Sequence, residues 1–414
     1  MSKHVIIIGG GVIGLSVAAE CIRRGHQVTV IEGAPEQRGA SFGNAGMIVP
    51  SHFIPLAAPG MVALGLKWMW NPESPFYIEP RLDWDLIAWA WRFWRSATRE
   101  HVERAAPLLR DLHLASRERF VQLASEHDFG LVQKGLLMLC KTQHTLDEEA
   151  ITARRATELG VPAQVLSPAQ TAALDPQITM DVAGSVYFPR DCHLDPRRYI
   201  TVLETQLRAA QATLLDGTHV KGWRKEGRMI SAVITDQGEV AGDEFVLCGG
   251  AWSSELVMNL GLRLPMQAGR GYSITVTDPV ELPQLCSILA EARVAVTPMG
   301  SSLRFGGTME ITNKDSPPRP RRVQGILKSL PAYFPKFARQ QFNAGTAWSG
   351  LRPCSPDGLP YLGRTQAATN LTLATAHAMM GLSLAPVTGA IVGGVLDDKP
   401  PAFDLRLMSP DRFA

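Results

Sequence analysis

The sequence predicts an α/β protein of two domains. One is Rossmann-like, built on a parallel sheet, and the other carries a mainly antiparallel sheet with flanking helices. Three observations support this. The chain opens with an apolar strand that runs straight into a G-x-G-x-x-G turn and a helix, Val5 to Gly25. It closes with another strand, loop and helix, "LTLATAHAMMGLSLAPVTGAIVGGVLDD". Between them, "GRGYSITV" and "LRFGGTMEI" look like strands of a separate antiparallel sheet. A length of 414 residues suits two domains, and 45% hydrophobic with 19% charged residues marks an ordinary globular chain.

The opening unit can be read part by part. Val5 to Ile8 form the continuous apolar run expected of a strand covered on both faces. Gly9 permits a tight turn, Gly11 lets the backbone approach a pyrophosphate, and Gly14 allows close helix–strand packing. The N–H groups that open the helix, at Val12, Ile13 and Gly14, and its dipole favour phosphate. Ala18, Ala19 and Ile22 are expected on the buried side, with Gly25 ending the helix. "QVTVI" is the second strand, and Glu32 at its tip, followed by Gly33, is placed to accept hydrogen bonds from a ribose diol. Strand, turn, helix, strand and acid together predict a bound dinucleotide.

The next segment selects FAD over NAD. In "GASFGNAGMIVP" the residues Ser41, Asn44, Ala45, Gly46 and Met47 form a small-residue loop that can approach a ribityl chain and an isoalloxazine. FAD is longer than NAD and must touch several distant segments. Val220, Gly249 at the end of the "FVLC" strand, Gly350, and Gly381 to Leu384 with Ser383 at the start of the last helix are such segments. Pro386 is expected in the first turn of that helix, whose N-terminus suits negative charge on a reduced flavin. Gly389, Gly393 and Gly394 keep its packing face thin.

Residues 60–130 are helix-like and rich in tryptophan: Trp68, Trp70, Trp84, Trp89, Trp91 and Trp94, with Arg81, Arg92, Arg95 and Arg99 among them. Two readings stand: an interfacial helix that docks on lipid and passes electrons to quinone, or a helix packed by its aromatic face. Trp89 and Trp91 are two apart and cannot share one narrow face.

A net charge of +2 gives no polyanion signal, so nucleic acid is not an expected partner. Six scattered cysteines without a C-x-x-C pair fit reduced thiols in the cytosol rather than disulfides or zinc. No signal peptide or membrane-spanning run is expected, which predicts a cytoplasmic protein that touches a membrane, if at all, from that side. His52, His193 and His377 are isolated, and no metal site is expected. No nucleophile elbow, phosphate-binding G-K-[ST] loop or H-E-x-x-H competes with the flavin reading.

Taken in order, "GGGVIG", "SFGNAGMIVP" with "LAAPG", "GRGYSIT", "LRFGGTMEI", "GLRPCSPDGLPYLG" and "HAMMGLSLAPVTG" resemble the FAD-dependent D-amino-acid oxidase superfamily. Within it the chain looks most like the bacterial D-amino-acid dehydrogenase small subunits and D-hydroxyproline dehydrogenases. The resemblance implies a discontinuous FAD domain, 1–50, 184–262 and 345–414, and a substrate domain, 51–183 and 263–344. It implies non-covalent FAD, with Cys354 not matched to a flavin-linking cysteine. It also implies oxidation of an amine beside a carboxylate, by hydride transfer from Cα to flavin N5, giving an imino acid.

By the same resemblance Arg352 holds the substrate carboxylate, as a planar fork of donors can do bidentately. A salt bridge to Asp357 is the structural alternative. Tyr272 is the candidate second polar contact, and Met47, His52, Met379 and Met380 are candidate pocket residues. The apolar methionine rim argues against an acidic substrate and favours D-proline or hydroxy-D-proline, with electrons passed to a quinone or dye. Two other readings remain, an oxidase or dehydrogenase of secondary amines such as sarcosine or glycine, and a non-catalytic FAD-binding partner subunit.

Overall fold

A computed structural model describes residues 2–36, 38–68, 73–343 and 347–414. Trp70 and the proposed boundary at 345 lie outside the described residues. Two large sheets organise the chain. The first has six strands in the order Tyr361–Thr365, Ala368–Thr375, Glu244–Leu247, His4–Ile8, Gln27–Glu32 and Thr213–Asp216. All its pairings are parallel except that of the first two. His4–Ile8 lies inside this sheet, and Val5, Ile6 and Ile7 are fully buried, as an apolar run covered on both faces requires.

Helix Val12–Arg23 packs on the last helix, Gly381–Leu396. A Cβ on Gly389 would lie 2.6 Å from the Ser16 carbonyl oxygen, so the glycine sets how closely the helices approach. Gly394, by contrast, faces open space. Val17, Ala18 and Cys21 form the buried face of the first helix, while Ala19 and Ile22 are half-buried. The last helix begins at Gly381, so Pro386 sits inside it rather than in its first turn. With the turn before it, Ala378–Leu396 is long and apolar enough to cross a membrane by composition, yet two thirds of it is buried against this fold. Its apolarity serves the core shared with Val12–Arg23 and Arg99–Ala124.

The second sheet has nine strands, running Trp348–Cys354, Gln267–Val276, Ser302–Thr312, Val294–Met299, Cys286–Leu289, Leu136–Cys140, Gly184–Phe188 and Gln164–Leu166, with Phe76–Ile78 added beside Ser302–Thr312. "GRGYSITV" and "LRFGGTMEI" are antiparallel neighbours in it, as expected. Two strands differ from the domain division given by the sequence. Gly184–Phe188 pairs with Leu136–Cys140, and Trp348–Cys354 pairs with Gln267–Val276, so both belong to the second sheet. Their partners lie about 50 and 80 residues away in sequence, where no local pattern reports them. The consequence for the site is direct: Arg352 stands on an edge strand of the second sheet, in register with Gly269.

Candidate active site

A cavity of about 770 Å³ is lined from both sheets, from the Gly9 turn to the Arg352 strand. At the first end the backbone does the work. Gly9 has φ +108°, and a Cβ there would lie 2.4 Å from the Cys248 carbonyl oxygen. A Cβ on Gly14 would lie 1.8 Å from the Gly9 carbonyl oxygen, so Gly14 packs the turn and does not line the cavity. The helix opens at Gly11 with no capping side chain, while Ser41 Oγ accepts the Val12 N–H at 3.0 Å. Glu32 accepts the N–H groups of Gly10 at 2.7 Å and Ala34 at 2.8 Å, which fixes its carboxylate at the cavity wall. Ile13, Gly33 and Val220 line the same end.

Sequence reasoning missed Arg38, Thr218 and His219 here. Arg38 is buried, has φ 45°, and pairs with Glu204 at 2.7 Å and Asp216 at 3.1 Å. Nothing in its local sequence marks it, since its partners come from two distant segments.

Further along, Gly43, Asn44, Ala45 and Met47 line the cavity with Gly249, Gly350, Gly381 and Leu382. Arg304 donates to the carbonyls of Phe42 at 3.1 Å and Asn44 at 2.7 Å, pinning this loop, and burial lowers its guanidinium to about 10. A second helix N-terminus, at Gly381, also opens without a capping side chain. Besides Gly14, three expected cofactor contacts lie elsewhere. Gly46 turns with φ +76° beneath the Leu194 carbonyl. Ser383 Oγ accepts the Val49 N–H at 3.0 Å and meets His113 Nδ1 at 2.8 Å. Leu384 is core. The Ser383 and Leu384 side chains face the protein because the helix is covered on that side. A long cavity, a glycine turn with no room for a side chain, a fixed acid and two helix N-termini whose N-cap residues make no side-chain cap fit FAD along its whole length.

At the other end, Arg352 Nη1 donates to the Thr308 carbonyl at 2.6 Å. Among the described residues no carboxylate lies within 4.0 Å of it, so most of its five donors have no protein acceptor. The alternative of a bridge to Asp357 is overturned. Asp357 is taken by Arg412 at 2.7 and 3.0 Å, and that guanidinium stacks 4.1 Å over the Tyr361 ring. Gly271 is what admits Arg352, since a Cβ there would lie 2.2 Å from its Cζ. Burial lowers the Arg352 pKa without an acid to restore it.

Tyr272 also lines the cavity, but its hydroxyl is engaged. It donates to Glu310 at 2.7 Å and accepts the Arg319 N–H at 2.9 Å. Burial first, and the Glu310 carboxylate after it, push the phenol pKa up. Tyr272 therefore offers a ring wall more than a free hydroxyl, because a buried carboxylate claims its proton.

His52 lines the cavity with Nδ1 3.1 Å from Ser51 Oγ, which donates to the buried Asp191. Burial pushes Asp191 up to about 7, and burial with the Arg293 charge pushes His52 down to about 4. Met47 and Met380 are buried and Met379 is 47% exposed at the rim. Met61, Leu64, Trp68, Phe76, Met138 and Met309 extend this wall, and the sequence did not single out most of them. Of seven non-glycine residues with positive φ among the described residues, five line the cavity: Arg38, Arg293, Thr308, Ala376 and Ala378. Backbone strain concentrates where function does.

In the tryptophan stretch the packed-face reading holds for one side of the helix, while the other side carries exposed aromatics. In helix Trp84–Ser96, Trp89 is buried and donates to the Cys354 carbonyl at 2.9 Å. Trp84, Ile87, Trp91 and Trp94 recur at helical spacing on the outside and are exposed, with Arg95 over the Trp91 ring.

Comparison with known proteins agrees with this geometry. Residues 4–394 match the family described as FAD dependent oxidoreductase (DAO). A D-amino acid dehydrogenase of Bradyrhizobium diazoefficiens is 32% identical over 99% of each chain. One from Helicobacter pylori is 29% identical over 96% of each. Among solved structures, glycine oxidase from Geobacillus kaustophilus superposes with a TM-score of 0.81, at 26% identity over 100% of this chain and 99% of the other. L-proline dehydrogenase from P. horikoshii shares the fold with a TM-score of 0.77, at 18% identity over 100% and 98%.

Proposed function

The chain belongs to the FAD-dependent oxidoreductase family, and from that premise we propose that this amino acid dehydrogenase oxidises D-proline or hydroxy-D-proline and passes the electrons to a quinone. The observation that carries the proposal is Arg352, a guanidinium without an acidic partner in a cavity walled by methionine. When bound, FAD supplies the acceptor for the hydride removed from the amine carbon, which carries both electrons of the oxidation.

The chain's own residues do the rest. Gly9, Gly11 and the first helix N-terminus hold the pyrophosphate, Glu32 the ribose, and the Gly43–Ala45 loop with the Gly381 helix N-terminus the flavin end. Arg352 grips the substrate carboxylate with two parallel N–H donors and so fixes the orientation of Cα. Met47, Met379 and Met380 exclude water around the ring or aliphatic side chain. The relatives named D-amino acid dehydrogenases support the D-amino-acid class, and the apolar wall supports a cyclic or aliphatic member of it. The exposed Trp84–Trp94 face with Arg95 supports peripheral contact with a lipid surface on the cytoplasmic side, where quinone is held.

A second reading, oxidation of glycine or sarcosine, draws on the likeness to glycine oxidase. Anaerobic bleaching of the flavin across D-, L- and N-methyl amino acids separates them. D-proline and hydroxy-D-proline should bleach fastest; preference for glycine or sarcosine would replace the first reading with the second. Turnover with a quinone analogue but not with oxygen is expected, and the reverse would overturn the acceptor.

A further inference from the structure

A second guanidinium reaches the same cavity. Arg293 stands at the turn before strand Val294–Met299, held at φ 53°. Its carbonyl oxygen lies 3.3 Å from where a Cβ on Gly307 would be. Gly307 precedes Thr308, the residue whose carbonyl holds Arg352. The Arg293 backbone therefore passes beside Gly307, one position before the residue that holds the Arg352 side chain. Arg293 lines the cavity with His52, Met138, Ile288 and Ala295.

Its guanidinium differs from the other arginines around the cofactor path. Arg38 has two carboxylates and Arg304 has two carbonyls. Among the described residues Arg293 has no hydrogen bond and no carboxylate within 4.0 Å. Glu149, on helix Gln143–Glu158, feels its charge without reaching it. Arg293 is exposed where it lines the cavity, so water hydrates it in the free protein, and a ligand oxygen entering the cavity would take the place of that water.

We propose that Arg293 is a specificity residue that donates to an oxygen on the distal part of the substrate, a hydroxyl or a carboxylate, so that oxygen-bearing D-amino acids are preferred to their hydrocarbon counterparts. The inference rests on the reading above and sharpens it. Of its two cyclic substrates, hydroxy-D-proline is the one Arg293 selects. It also admits an acidic side chain, which the methionine rim alone argues against.

The test compares kcat/KM for D-proline, 4-hydroxy-D-proline, D-norvaline and D-glutamate in the wild type, Arg293→Met and Arg293→Lys. The wild type should favour the oxygenated member of each pair by about tenfold or more, as a site built to pair a polar group does. Arg293→Met should lose about 10- to 100-fold on the oxygenated substrates and stay within about twofold on D-proline. Arg293→Lys should restore part of the loss. A gain confined to hydroxy-D-proline identifies the hydroxyl as the group read, and one confined to D-glutamate identifies the carboxylate.

A binding measurement stands apart from turnover. Wild-type holoenzyme should bind succinate about tenfold more tightly than butyrate by flavin spectral shift, and Arg293→Met should abolish the difference. Equal losses on all substrates, or a succinate preference that survives Arg293→Met, overturn the inference. Failure of every D-amino acid to reduce the flavin would instead overturn the parent reading, with the succinate comparison still deciding Arg293.

Discussion

The two ends of the cavity are built from different materials. The dinucleotide end is made of backbone: Gly9, Gly11 and Gly14 within six residues, and an acid eighteen residues later. The amino-acid end is made of side chains brought together by sheet register. Arg352, Tyr272, Thr308 and Arg293 come from three neighbouring strands and a turn. The first tolerates no added atoms and the second depends on which atoms are presented. Damage at the first end should cost the cofactor, and damage at the second should cost turnover while flavin stays bound.

The sharpest way to break that contrast is Gly14→Ala. Its Cβ would fall 1.8 Å from the Gly9 carbonyl oxygen, a backbone atom that cannot move without moving the turn. The expected protein is flavin-free or unfolded, read by flavin-to-protein ratio and circular dichroism. A full complement of flavin would mean that the turn does not set the fit.

Gly271→Ala tests the other end with the same single methyl. That group would sit 2.2 Å from Arg352 Cζ, the far part of a flexible side chain. The guanidinium should be pushed off its position. A fall of about 100-fold in kcat/KM at unchanged flavin content is expected, as misplacing a positioning group typically costs. Loss of flavin in this variant would erase the distinction between the ends.

The smallest effect concerns the wall between them. Burial raises Asp191 from 3.8 to about 7, so the folded protein holds its proton where the unfolded chain has lost it. The stability this contributes is fully present below about pH 4 and lost as pH rises through about 7. His52 and His113 run the other way. They are lowered from 6.5 to about 4 and about 3, so their contribution is present above pH 6.5 and lost as pH falls toward those values. Asp191→Asn should therefore melt higher than wild type at pH 8 and converge with it near pH 4, in thermal scans across that range. A constant offset would assign the effect to packing rather than to the proton.

The same contrast explains what the sequence could show. The Gly9–Glu32 unit is local, each glycine having one reason at one spacing, and it is legible residue by residue. Arg352 was legible only through family resemblance. The residues that present it are not, because Gly271 reads as an ordinary strand glycine and Thr308 as a β-branched strand residue. Asp357 looked like its partner at five residues' distance, yet Arg412, 55 residues on, claims that carboxylate. Arg293 escaped notice for the same reason, since a solitary arginine before a strand has no signature until the sheet closes around it. The outer and inner faces of Trp84–Ser96 were both legible in outline, since helical spacing alone separates Trp89 from Trp91.

The central claim is that Arg352 holds the carboxylate of a D-amino acid at the flavin end of the cavity. Stopped-flow reduction of the flavin by D-proline under anaerobic conditions, wild type against Arg352→Met, tests it most directly. With flavin content equal, the variant should need far higher substrate and reduce at least about 1,000-fold more slowly at low concentration, the scale of losing a bidentate ionic contact. Reduction of the two proteins at the same rate and the same half-saturating concentration would contradict it.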